Sequence, residues 1–344
     1  MSYETTPLSQ AAWKRIQALG MPCKSNELWT FFPVNKIPDF WSSEACNHLS
    51  SEYPKDNQDI FGIANETDIA ALLPIAKSAP LMKKVFEENS TEMGIVKSRD
   101  DFGHSLFVIR KGAKVSLEIL DNKVTHEITA ERFDIEVEEN AELEIFFANP
   151  ANELSLTFRH FNIKQAANTT VRFANILKDS GTGRISIRCE LNGERANFDY
   201  RSLNILKGDA SKHQRITILH NAPETTSTQF VRNLLDQNAY ASYDGQVEVG
   251  HNCSKVYSNQ LVNTILLNEG GRISVKPVLK IYHDDVECTH GNTVGELDKD
   301  QMFYLTSRGI PQTTAREMLT RSFAKELFMP LPEGPAKKRL LQTI

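Results

Sequence analysis

Seven side chains able to bind or activate a metal or sulfur fall between residues 251 and 290: His251, Cys253, His283, Asp284, Asp285, Cys288 and His290. Imidazole and thiolate suit iron and zinc, and thiolate is the best ligand for cluster iron. On a strand, Cys288 and His290 share a face because the side-chain period is two, so both can approach one metal or one interface. Asp284 and Asp285 are adjacent and would face opposite sides, which rules out an acid/base pair. One reads as a turn former and the other as a polar-face residue. The plainer alternative is that Cys253 and Cys288 fill apolar space, as free cysteine commonly does, and that His251 and His283 are surface residues on turns. His251, Cys253 and His283 therefore stand as candidate metal ligands against that alternative. At most two thiolates belong to this patch, so the chain by itself should hold no stable cluster.

The elements that must position these groups announce themselves as a repeat. A pair of large apolar residues followed by a turn-like pair begins at Ile119, Phe146, Ile176, Ile205, Leu234 and Leu266, at spacings of 27, 30, 29, 29 and 32. A period near 30 signals a stacked architecture. What repeats looks like strand: alternation is clear in Val115–Ile119, Phe133–Val137, Leu143–Ile145, Ile185–Ile187 and Val247–Val249. Turn residues punctuate it at Glu139-Asn140, Ser180-Gly181, Asn192-Gly193, Lys207-Gly208, Asp244-Gly245 and Gly270-Gly271. No helical-period segment interrupts residues 106–290. The expected fold is mainly β: a β-helix, or stacked β-solenoid, with helical N- and C-terminal segments. A β-sandwich is the structural alternative. The expected division is a mostly helical region at 1–100, a β-helix core at 101–297 and a C-terminal helical region at 298–344. An offset of 32 would lay Leu234 on Leu266, Tyr243 on Val275, Val247 on Leu279 and Val249 on Ile281. It would bring His251 near His283 and Cys253 near Asp285.

Helices are expected at Leu8–Leu19, stopped by Gly20 and Pro22, and at Asp68–Leu73 and Leu81–Glu88. Asp298 should open another at Lys299–Arg308, and a last one should run over about Thr313–Phe328 with Ala315, Met318, Leu319, Phe323 and Leu327 on one face. That last helix reads either as a cap over the solenoid's open end or as a docking helix for a partner.

Composition narrows the function. The chain has 344 residues, a formal net charge of -5, and five cysteines (Cys23, Cys46, Cys189, Cys253, Cys288) with no CxxC. An odd, widely spaced set argues against a disulfide framework and for a reducing, cytoplasmic setting. No basic stripe exists beyond Lys337-Lys338-Arg339, which argues against nucleic acid. No run of about 18 apolar residues supports a membrane span. Met1–Glu4 lacks the basic and apolar parts of a secretory signal.

The stretch Lys276–Gly295, centred on Cys288-Thr289-His290-Gly291, strongly resembles the signature of the SufB/SufD family, in its SufD branch. Gln301–Ile310 and Ala315–Phe323 continue the likeness, and Thr226–Thr228, Tyr243–Gly245 and Gly20–Pro22 with Glu27–Trp29 add to it. The likeness is specific over roughly 220–325, and the chain looks short for the family, mostly before the solenoid. The resemblance implies a scaffold subunit for iron–sulfur cluster assembly, not an enzyme. It pairs with SufB through their β-helices and binds the SufC ATPase through the C-terminal helices, here Tyr304, Arg308, Met318, Leu319 and Phe323. It holds no cofactor alone; a transient iron–sulfur cluster forms at the SufB interface with His290 and Cys288 as site residues. Apart from the resemblance, an exposed sheet edge would allow a homodimer when SufB is absent. Two departures stand out: His283 replaces a usually small residue, and Glu287 replaces a usually basic one. Competing readings are a polysaccharide-active β-helix enzyme and a stand-alone metal protein using His251, His283, Cys288 and His290.

Overall fold

Val115, Leu117 and Ile119 are buried while Lys114 is exposed and Ser116 and Glu118 lie between, so one face of this segment points into a core. The same alternation, repeated, builds two parallel sheets that face each other. The structure, a computed structural model, describes residues 7–20, 22–37, 61–77, 81–97, 102–120, 128–149, 156–178 and 181–344. The first sheet runs in the order β1 (Leu81–Phe86), β3 (Phe102–Ile109), β5 (Ile128–Val137), β7 (Leu156–Gln165), β9 (Thr182–Leu191), β11 (Ser211–His220), β13 (Tyr240–Val249), β15 (Arg272–Ile281). The second holds β2 (Thr91–Lys97), β4 (Lys114–Leu120), β6 (Glu142–Asn149), β8 (Thr170–Lys178), β10 (Asn197–Leu206), β12 (Thr226–Leu235), β14 (Val256–Leu266), β16 (Val286–Gly295). The chain alternates between sheets, and every pairing is parallel, as between β3 and β5 or β14 and β16. This is the expected β-solenoid, and the β-sandwich reading falls.

The corners explain some odd residue choices. At the turns from the first sheet to the second, Asn89, Gly112, Asn140, Asn168, Arg195, Glu224 and Lys255 all carry φ between 54 and 70°. Asn and Gly tolerate this left-handed conformation. Arg195, Glu224 and Lys255 do so less readily, and side-chain contacts along the corner hold them. Arg195 donates to Asn168 Oδ1 at 2.8 Å and pairs with Glu224 at 3.5 Å, which pairs in turn with Lys255 at 3.4 Å.

All six apolar doublets sit at the C-terminal ends of consecutive strands of the second sheet, β4 to β14, or one residue past them. They are doublets because both faces are covered there. Ile119, Phe147 and Leu177 point into the solenoid core. Phe146, Ile176, Leu203 and Leu234 point outward, against Ala324, Leu327, Phe328, Leu331 and Leu340 of the C-terminal region. That region holds α3 (Lys299–Ser307), α4 (Gln312–Glu326) and α5 (Pro335–Thr343); the last was not foreseen. The capping reading is therefore overturned: α4 and α5 lie on the outer face of the second sheet, while among the described residues nothing pairs with the exposed outer edges of β15 and β16.

The outer face of the first sheet is covered by α1 (Pro7–Leu19), the segment around Trp29 and Phe32, and α2 (Ile69–Ala76), which pack on Ile128, Ala130, Leu156 and Phe158. Charge anchors this layer. Arg132, its side chain fully buried, donates to both Asp134 oxygens at 2.8 and 2.9 Å and to Phe61 O at 2.6 Å. Arg184 reaches Asp68 at 2.8 Å and lies 4.2 Å from the centre of the Trp29 ring.

Three further expectations are corrected. Leu81–Phe86 is strand β1, not helix. Its first four residues are exposed because only one end of this edge strand meets the core, so no alternation shows. Asp244-Gly245 lies inside β13, not at a turn. A Cβ on Gly245 would stand 2.5 Å from the buried Tyr243 ring, so glycine is there to admit the ring. Gly245→Ala should accordingly destabilise the chain by about 1–3 kcal/mol through overpacking, read as a lower urea midpoint with unchanged slope. Third, Leu234 lies beside Ile265, and Leu266 beside Leu235. The offset of 32 does hold between β13 and β15, pairing Tyr243 with Val275, Val247 with Leu279 and Val249 with Ile281. It falls to 30 between β14 and β16, because the turn at 282–285 is two residues shorter than the one at 250–255.

Candidate functional site

The solenoid interior changes character along its length. Down one inner column of the second sheet, paired residues run Ile145, Phe173, Tyr200, Gln229, Gln260 and His290. The neighbouring column runs Leu143, Val171, Phe198, Ser227, Ser258 and Cys288. In-register parallel strands keep paired side chains on one face. On β14 the buried positions are Val256, Ser258, Gln260, Val262 and Thr264. Cys288 and His290 therefore both belong to the inner face of the last coil. The expectation that they share a face is met, and the face is the solenoid's interior where it opens to solvent.

The setting of each group follows. Cys288 is half-buried against the apolar core, and that burial pushes its thiol above the ordinary cysteine range. His290 is exposed at the edge strand. Beneath Cys288, Ser258 Oγ and Ser227 Oγ lie 2.9 Å apart, and His220 Nε2 lies 2.9 Å from Ser227 Oγ. Burial holds His220 down at about 4, so it is neutral near pH 7. Beneath His290, the Tyr243 hydroxyl donates to Gln229 Oε1 at 2.5 Å. Deeper in the sheet, Asn204, Asn233 and Thr264 form a hydrogen-bonded ladder with steps of 2.6 and 2.9 Å. These polar interior residues were missed from sequence. The signal was there: Ser227-x-Gln229 and Ser258-x-Gln260 precede Cys288-x-His290 at intervals of 31 and 30.

The other candidates go elsewhere. Cys253 is buried in the core, with its Sγ 3.1 Å from His220 O and its thiol raised by burial. His251 and His283 occupy turns at one corner, where the His251 ring stands 5.0 Å from that of Tyr282. His283 Nδ1 accepts from Asp285 N at 3.1 Å. Among the described residues, no three His, Cys, Asp or Glu side chains come together to hold a metal ion. The structure thus brings Cys288 and His290 together and does not join His251, Cys253 and His283 to them.

Beyond β16, α3 and α4 present a second surface. Arg308 stands 4.6 Å from the Tyr304 ring, and Phe303, Tyr304 and Met318 are all exposed. Leu319 is half-buried, while Phe323 is tied to the solenoid by Arg232, 4.6 Å from its ring.

Fold and site together define a two-sheet parallel β-solenoid with one Cys/His pair on the inner face of its open last coil. The model of the SUF system FeS cluster assembly SufBD core domain matches residues 93–323. The chain belongs to the SufBD family of the SUF iron–sulfur cluster assembly system and is of the SufD type. It is 32% identical to the iron–sulfur cluster assembly protein SufD of Escherichia coli over 63% of this chain and 51% of that one. It is 24% identical to the chloroplastic protein ABCI7 of Arabidopsis thaliana over 58% of this chain and 42% of that one. Against SufB of Bacillus subtilis the figures are 29%, 42% and 31%. The matched stretch thus spans about half the length of the E. coli relative and less of the other two. No helix among the described residues is long and apolar enough to cross a membrane.

Proposed function

We propose that this chain is a non-catalytic scaffold subunit that pairs with a SufB-type solenoid through its last coil and binds a SufC-type ATPase through α3 and α4. A nascent iron–sulfur cluster is the cargo, assembled between Cys288 and His290 and ligands on the SufB-type partner. The observation that carries this reading is the open coil itself. The free edges of β15 and β16 offer a row of backbone donors and acceptors that a second sheet can pair, and Cys288 and His290 lie on the inner face at that edge. One thiolate and one imidazole are too few to hold a cluster, which fits a site completed by another chain. When no SufB-type chain is present, a second copy of this one can pair the same edges.

The test is co-expression of tagged protein with SufB- and SufC-type chains, affinity capture and mass spectrometry. Recovery of both partners in fixed ratio is expected. Met318→Asp, at an exposed position, should lose the ATPase while keeping the SufB-type chain. A central interface side chain is typically worth about 2 kcal/mol, roughly 30-fold in affinity. Capture of this chain alone would overturn the proposal.

A further inference from the structure

Gln260 sits on the inner face of β14 at 1% exposure, and neither its Nε2 nor its Oε1 has a hydrogen-bond partner among the described residues. A buried primary amide with both ends unpaired is costly and rare. On one side the column offers Gln229, whose Oε1 is taken by the Tyr243 hydroxyl and whose Nε2, though itself without a partner, makes no hydrogen bond to Gln260. On the other side stands His290, directly paired with Gln260 in the register of β14 and β16. The neighbouring column already shows a completed version of this arrangement, where Ser227 and Ser258, paired in the same way, meet at 2.9 Å.

We infer that Gln260 is the positioning residue for His290. Its Oε1 accepts the N–H of the inward ring nitrogen, which fixes one tautomer and presents the other nitrogen's lone pair to the open edge, where cargo iron is met. Metal-binding imidazoles are commonly set this way by a partner on the far nitrogen. Nothing in this step transfers electrons or makes a covalent bond; the ring proton stays on the inward nitrogen. The inference rests on the proposed role of His290 for its functional consequence, but its structural content does not.

Two readouts keep these apart. Long-range nitrogen–proton correlation spectra of the isolated chain report the His290 tautomer without any cluster. The unmodified protein should show one dominant tautomer. Gln260→Met, similar in volume but with no amide, should populate both, and Gln260→Glu, which keeps an acceptor, should restore the bias. In the co-expressed complex, Gln260→Met should lower cluster yield roughly 10-fold, the usual scale for losing an outer partner of a metal-binding histidine, with Gln260→Glu recovering most of it. An even tautomer mixture in the unmodified chain overturns the inference without any variant. So does an unchanged tautomer in Gln260→Met. A biased tautomer lost in Gln260→Met, with cluster yield untouched by His290→Ala, would uphold the positioning and overturn the function proposed for His290.

Discussion

Asp68→Ala should cost about 3–5 kcal/mol, the scale for removing one partner of a buried ion pair. Three interactions end on this carboxylate. It meets Arg184 at 2.8 Å, accepts from Ser186 Oγ at 3.1 Å, and caps α2 by accepting from Ala70 N at 3.1 Å. Arg184 is almost fully buried, so the variant leaves a guanidinium without its counter-charge inside the protein. Burial alone would raise the Asp68 acid, but Arg184 outweighs it and holds the group at about 2, below its ordinary 3.8. A depressed carboxylate stabilises the fold above its unfolded pKa and loses that contribution as pH falls through the folded one. The stabilisation, about 2 kcal/mol by linkage, is therefore complete above roughly pH 5 and gone near pH 1. Asp134 is shifted the same way: burial opposes it, and Arg132 and His104 prevail. Emission from the buried Trp29, which packs against Arg184, should report the N-terminal layer lifting from the first sheet on acidification. Asp68→Asn separates the two roles, since asparagine caps as well as aspartate but carries no charge. It should keep the cap and lose its part of the acid dependence. Full stability of Asp68→Ala at pH 7 would show that the layer is held by apolar packing alone.

How far sequence reasoning reached depended on whether an environment was local and two-sided. Alternation in Val115–Ile119 was readable because one face is buried in the core and the other is only partly covered. In β1 that contrast is missing, and Leu81–Phe86 passed for helix. The doublets marked the period correctly but not the register, because they record a second cover, α4 and α5, that slides by a residue or two from coil to coil. Trp29 and Phe32 could not be placed because their partners, Phe158, Arg184 and His213, are more than 100 residues away. The polar inner columns were the deepest loss. Ser227, Gln229, Ser258 and Gln260 alternate with residues that are less buried than they are, reversing the usual inference that the polar face is the wet one. Cys288 and His290 were found by residue type, spacing and family resemblance, none of which needs to know which face is inside.

His290→Ala and Cys288→Ser should each cut the iron–sulfur content of the captured complex, and His290→Ala by at least about 10-fold. Removing a residue that merely orients a metal ligand commonly costs 10–100-fold, and removing a group that meets the iron should cost no less. Neither change should disturb the fold much. His290 is exposed on an edge strand and Cys288 is half-buried, so the expected change for His290→Ala lies within about 0.5 kcal/mol. Both variants should still capture the SufB- and SufC-type partners, since β16 keeps its backbone edge. Serine offers a harder and more basic oxygen in place of a soft thiolate, so it replaces the shape of Cys288 but not its affinity for cluster iron. The raised thiol adds a pH signature. In the role proposed for Cys288 it binds as thiolate, so iron must displace its proton. Loading should therefore release a proton and weaken as pH falls, and Cys288→Ser should lose that part of the dependence. Iron and sulfide analysis of complexes purified without oxygen checks both points. Normal cluster content in His290→Ala, with partners still bound, would move the assembly site off this chain and leave the last coil as an interface only.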